Sequence, residues 1–195
     1  MPAEKAPARQ IQVVPYDPMW PARFRAEALR LRSLLGDNAV AFHHIGSTAI
    51  PEIMSKPIID ILVEVRDLAG VDALDEKMKR HGYLPKGEFG IPGRRYFRKG
   101  TDTQHTHHVH IFQTGDPHIE RHIIFRDYLR AHPDEAQAYS RLKEELARKF
   151  PEDAEGYMDG KEGFIQEIEK KAKIWKDEIA SSSFQKRGTP RNDSL

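Results

Sequence analysis

The run from Ile45 to Val65, IGSTAIPEIMSKPIIDILVEV, constrains this chain more than any other, because a glycine-serine turn, a loop and a strand carrying one acid follow in fixed order. By alternation, the strand puts Ile59, Ile61, Val63 and Val65 on one face and Ile58, Asp60, Leu62 and Glu64 on the other. The first face demands a core. The second holds Asp60 in the middle of an apolar run, where an ionised carboxylate is costly unless a cation, a donor or water meets it. Upstream, Ala39 to Ile45 is β-prone, and Gly46-Ser47 ends it in a tight turn with backbone N–H groups and a hydroxyl facing outward. Such a turn can hold a phosphate. Gly46, Ser47 and Thr48 are its candidate contacts, with Lys56 supplying charge from the loop.

A second informative stretch is HTHHVHIF, from His105 to Phe112. Read as a strand, it sends Val109 and Ile111 to one face and His108 and His110 to the other. If its apolar face shares the core with Ile59–Val65, then His108, His110 and Asp60 meet on the open side of one sheet. Imidazole with carboxylate suits zinc, manganese or iron, whereas magnesium prefers oxygen ligands and would use Asp60 alone. Asp60 and His110 are the candidate catalytic pair, and Asp60, His108 and His110 the candidate metal ligands; His105 and His107 read as loop or rim residues.

The remaining elements frame these two strands. Residues 1–10 read as a mobile leader and Ile11–Val14 as a short strand. Asp17 and Pro18 start a helix with Phe24, Ala28, Leu31 and Leu35 inward, ending at Gly36. A helix is predicted over Asp67–His81, burying Leu68, Val71, Leu74 and Met78, followed by strands Tyr83–Phe89 and Arg95–Lys99 around a Gly90–Gly93 turn. Asp116-Pro117 opens a helix to Ala131, in which Arg126 is either an anion contact or part of an anchoring network with Asp127. Pro133 opens the next, to Phe150, with Tyr139, Leu142 and Leu146 inward and Lys143, Glu144, Glu145 and Lys149 on a solvated face. Tyr157–Ile179 forms the last, striped by Phe164, Ile165, Ile168, Ala172 and Trp175, and 181–195 reads as a disordered tail.

Several of these segments carry a resemblance. Hydrophobic-Gly-Ser, a short loop, then a strand acid, with twelve residues between Ser47 and Asp60, resembles the nucleotidyltransferase superfamily signature. With Tyr16–Pro21 (YDPMWP), His44–Pro51 (HIGSTAIP), Lys56–Val65 (KPIIDILVEV) and Phe125–Pro133 (FRDYLRAHP), the chain is similar to the GrpB family across roughly residues 11–175. A GrpB-like domain also follows dephospho-CoA kinase in some actinobacteria. The resemblance implies an α+β fold, a nucleotidyltransferase-like mixed sheet with helices on one face and additional C-terminal helices, within one domain over 11–180. It also selects Arg95, in GRRYF, as a phosphate contact beside Arg126, and gives Lys161 a place near the cleft. One departure bears on chemistry: active transferases of the superfamily carry a second acid two residues after the first, and here that position is Leu62. A two-metal centre holds its ions ~3.5–4 Å apart with several carboxylates. Glu64 lies ~13 Å further along the strand and reads as a solvated strand-end acid.

Composition narrows the classes. With 31 Lys and Arg against 30 Asp and Glu, the chain lacks the global positive field of a dedicated nucleic-acid binder, so any anion site is local. With no cysteine, disulfides and thiolate metal sites are excluded. No apolar run approaches the ~20 residues of a membrane span and no signal peptide is visible, so a cytoplasmic location is expected. The expected function is binding of a nucleotide or phosphorylated metabolite with a divalent metal (magnesium or manganese, alternatively zinc) and transfer of a nucleotidyl group to an unspecified acceptor. The alternatives are an inactive ligand-binding domain, an interaction or folding-assistance domain, and an Asp/His zinc hydrolase.

Overall fold

A computed structural model describes residues 10–101 and 104–187. Helix α1 (Trp20–Leu35) leads into β1 (Ala39–Ile45), a one-turn 3-10 segment (Ser47–Ala49) and β2 (Ile59–Val65). Two short helices, α2 (Leu68–Asp72) and α3 (Asp75–Arg80), precede β3 (Tyr83–Pro85), β4 (Arg95–Gly100) and β5 (His105–Gln113). Three helices complete the chain: α4 (Pro117–Ala131), α5 (Pro133–Lys149) and α6 (Ala154–Arg187). The five strands form one sheet in the order β1-β2-β5-β4-β3. Only the central β2–β5 pair is parallel, as the helical crossover between them requires; the others are antiparallel.

One face of the sheet is core along its whole width. Ile59, Ile61, Val63, Val65, Val109, Ile111 and Phe97 pack beneath Trp20, Leu31, Leu34 and Leu35 of α1 and Val71 and Met78 of α2 and α3. The opposite face is divided. At one end Leu62 and Phe112 are covered by Ile119 and Ile123 of α4, with Ile45 and Ile91 completing the cluster. Beyond that cover, Asp60, His108 and His110 keep partial access to solvent. A third cluster joins Ile50 and Ile53, in the loop after β1, to Tyr128, Leu129, Tyr139, Ile168 and Ala172 of α4, α5 and α6. The C-terminal helices are therefore docked on the very loop that follows the Gly-Ser turn.

Several predicted boundaries move. The Asp67–His81 helix breaks into α2 and α3 at Ala73-Leu74, although Asp67 caps it as an N-terminal acid should, accepting from the N–H groups of Ala69 and Gly70. Tyr83–Phe89 stays extended only to Pro85, because Gly87 and Phe89 take positive φ and turn the chain. Ile11–Val14 contributes a single bridge, Val14 to Ser55. Glu64 is not a solvated end: it pairs with His43 Nε2 at 2.7 Å. Helix α6 continues to Arg187, into the segment expected to be a tail; 1–9 and 188–195, the rest of the expected leader and tail, lie outside the described residues.

Candidate functional site

The site begins at the end of β1. Gly46 has φ 68, open to glycine but strained for other residues, and a Cβ there would stand 3.0 Å from both Cβ and Cγ of Asp60. Antiparallel pairing of Ile45 with Asp60 brings the turn and the acid together. The turn is held from behind. Arg126 Nη1 donates to the His44 carbonyl at 2.9 Å while its Nε meets Asp127, and Arg130 Nε donates to the Ala49 carbonyl at 2.8 Å. Thr48 is buried, its hydroxyl donating to the Ile58 carbonyl and lying 3.0 Å from His44 Nε2. Arg126 and Thr48 thus brace the loop from its inner side, while Gly46 and Ser47 stay half-exposed.

Parallel register sets Asp60 beside His108 and Leu62 beside His110. Asp60 Oδ1 lies 3.2 Å from His108 Nδ1 and 3.8 Å from His110 Nε2, and the three side chains are 26%, 20% and 14% exposed. Burial would raise the Asp60 carboxyl, but the His108 hydrogen bond and the nearby His110 imidazole prevail and hold it well below its usual range. Burial lowers His110. Arg94 Nη1 sits 3.3 Å from His110 Nδ1, and because a guanidinium only donates, that nitrogen accepts and the ring proton resides on Nε2, toward Asp60. Among the described residues no three His, Asp or Glu side chains are grouped as a metal would need. His108 is hydrogen-bonded to Asp60 with His110 close by, and Leu62 is fully buried.

Arg95 does not join them. Alternation along β4 turns Arg95 to the helical face, where Asp72 holds it by two bonds of 2.5 and 2.8 Å. The residues of β4 that share the face of His108 and His110 are Tyr96 and Arg98, opposite His110 and His108 respectively. Pairing parity, invisible until β4 is aligned on β5, decides this.

Helix α5 brings further groups to the loop after β1. The Tyr139 phenol is pushed up to about 12 by burial, against a lowering pull from Ser47. One turn along α5, Lys143 is 2% exposed rather than solvated, its Nζ donating to Ser55 Oγ at 3.3 Å and lying 4.6 Å from the Tyr139 ring centre. Lys161 of α6, 7% exposed, donates to Met158 Sδ, and it and Lys56 lie 4.5 and 4.6 Å from the Tyr157 ring. Among the described residues neither Lys143 nor Lys161 has a carboxylate within ion-pair distance. Burial first and Lys161 second push Lys143 down to about 7. Burial and then Lys56 push Lys161 down to about 8, against an opposing pull from Asp60. The spacing of Tyr139, Lys143 and Leu146 puts all three on one stripe of α5, so Lys143 shares its buried face.

This sheet, with its Gly-Ser turn and strand acid, defines a nucleotidyltransferase-like fold. The crystal structure of the Cid1 poly(U) polymerase with MgGTP bound shares that fold at TM-score 0.50 and 14% identity, covering 70% of this chain and 44% of that one. A family model described as GrpB protein matches residues 10–171, and the chain belongs to that family. It is 49% identical over 170 residues to the UPF0157 protein YqkA of Bacillus subtilis, covering 87% of this chain but only 49% of YqkA, so it spans about half that relative's length. The crystal structure of the conserved protein GrpB from Enterococcus faecalis superposes at TM-score 0.80 with 45% identity, covering 84% of this chain and 99% of that one. Dephospho-CoA kinase of Mycolicibacterium paratuberculosis is 29% identical over 191 residues, covering 86% of this chain and 47% of the kinase. No helix among the described residues is long and apolar enough to cross a membrane.

Proposed function

We propose that the cleft between the Gly46-Ser47 turn, Asp60 and the lysines of α5 and α6 binds the phosphate groups of a nucleotide or phosphorylated metabolite. One observation carries this reading: Lys143 and Lys161 are buried beside each other and facing Tyr139 and Tyr157, with a hydroxyl and a thioether as their polar partners. Burial and neighbouring positive charge disfavour the ammonium form of both, which an anion relieves. Lys56 adds a third positive charge, and Ser47 with the turn's backbone N–H groups adds donors. A nucleotide is the ligand to try first, since Cid1, similar in fold, is described with MgGTP bound.

The donor set does not fit a two-ion centre. Leu62 stands in the apolar core where a second acid would be needed, and Asp60 is engaged by two imidazoles. Magnesium or manganese arriving with phosphates would find one protein carboxylate, already bonded to His108, and Asp60, His108 and His110 are not grouped as zinc would need. Binding, rather than nucleotidyl transfer, is what these residues support.

Equilibrium titration with ATP, CTP, GTP, UTP and inorganic tripolyphosphate, each with and without manganese, tests the proposal. Binding is expected to weaken at least tenfold in Lys161→Met and in Lys143→Met. Absence of binding by every probe, or affinities unchanged in both variants, overturns it.

A further inference from the structure

Across the sheet from the phosphate turn, beyond the Asp60–His108–His110 group, lies a surface that the phosphate reading does not use. Tyr96 of β4 stands 5.1 Å from the His110 ring and 5.6 Å from the His108 ring. Phe89 stacks on Tyr96 at 5.1 Å with the planes 19° apart, yet is 52% exposed. The Arg98 guanidinium lies 4.8 Å over Phe89 and 5.7 Å from Tyr96, and its buried Nε has no hydrogen-bond partner among the described residues. Arg94 secures the other side: buried, 4.9 Å from Tyr96, it donates to the carbonyls of Glu88 and Phe89 as well as approaching His110.

The backbone sharpens the point. Phe89 has φ 46, a left-handed conformation that a bulky residue adopts only under constraint, within a turn where Gly87, Gly90 and Gly93 also have positive φ. A fourth glycine would serve this turn with less strain. Residues held this way cluster at ligand clamps, and here the strain holds an exposed aromatic ring against the edge of the cleft.

We infer that Phe89, Tyr96 and Arg98 form a stacking subsite for the nucleobase of the ligand whose phosphates occupy the Ser47–Lys161 side, an inference that rests on the phosphate reading above. The exposed ring of Phe89 supplies the π-face, and Arg98 supplies a flat cation with donors for the acceptors on a base edge. The geometry agrees: β1 and β4 are three strand spacings apart, about 14 Å at ~4.8 Å per spacing. Phosphate at one end and base at the other places the sugar over Asp60 and the two imidazoles.

Phe89→Ala and Arg98→Met separate the two halves of the ligand. Base–aromatic stacking of ~1–3 kcal/mol per base corresponds to a loss of about 5- to 150-fold in nucleotide affinity at 1.4 kcal/mol per tenfold. Both variants are expected to lose nucleotide affinity in that range and to bind inorganic tripolyphosphate as the parent protein does. Equal affinity of the parent and Phe89→Ala for all four nucleotides overturns the subsite, as does an equal loss for nucleotide and tripolyphosphate. Two-dimensional NMR with adenosine, guanosine, cytidine and uridine at millimolar concentration keeps this apart from failure of the phosphate site. Shifts of Phe89 and Tyr96 ring signals support the subsite even if tripolyphosphate does not bind, and their absence with every nucleoside overturns it. Thermal unfolding of both variants shows that the fold is intact, as expected for a half-exposed ring.

Discussion

Gly46 and Asp60 touch: a side chain on the glycine would collide with the carboxylate, standing 3.0 Å from its Cβ and Cγ and nearer still to its Oδ2. The turn and the acid are therefore one unit, and each limits what the other can be. Gly46→Ala combines this clash with a positive φ, so it is expected to destabilise by about 1–3 kcal/mol in urea unfolding. In a double-mutant cycle, adding Asp60→Ala should restore part of that loss, because it removes the colliding group. Additive effects would show that the two do not meet.

Asp60 also predicts an acid dependence. Its folded-state pKa is depressed below the ordinary 3.8, so the stability it contributes is fully present above that value and is lost as pH falls toward the folded pKa. Asp60→Asn is expected to be less stable than the parent at pH 6, with the difference shrinking below pH 4. Urea midpoints measured from pH 6 to pH 2 check this; a difference independent of pH would contradict it.

Lys143 and Lys161 predict the opposite limb. Their folded pKa values, about 7 and about 8, lie below the ordinary 10.5, so between pH 7 and 10.5 the unfolded chain holds more protons and stability rises with pH. Lys143→Met should flatten that rise. A bound phosphate draws protons back onto the amines, so calorimetry at pH 8 in buffers of different ionisation enthalpy should show net proton uptake on binding. Proton release would contradict the placement of the anion beside these lysines.

Arg95 and Arg126 should behave differently although both looked like phosphate contacts. Arg95→Ala removes a partly exposed pair with Asp72, a loss of about 0.2–1 kcal/mol, and should leave tripolyphosphate affinity unchanged. Arg126→Ala removes a donor to the His44 carbonyl and should destabilise by about 1–3 kcal/mol. Denaturation curves with tripolyphosphate titrations on both variants give the comparison.

The sheet's two central strands were legible because their patterns depend only on alternation. Ile59–Val65 and His105–Phe112 each declare two faces, and a shared core face brings Asp60, His108 and His110 together. What was not legible depended on registers and packing between distant segments. The parity of Arg95 against Arg98 follows from how β4 pairs with β5, and the burial of Lys143 follows from α5 docking on the Ile50–Ser55 loop. Thr48 reads as a hydroxyl for a ligand, yet His44, four residues before it, and the Ile58 carbonyl, ten residues after it, engage it.

The two arginines of α4 that grip the carbonyls of His44 and Ala49 reach back across more than eighty residues of chain. During synthesis, β1 and its turn leave the ribosome long before the helix that clamps them. The brace on the loop after β1 is accordingly complete only once α4 has been made and docked.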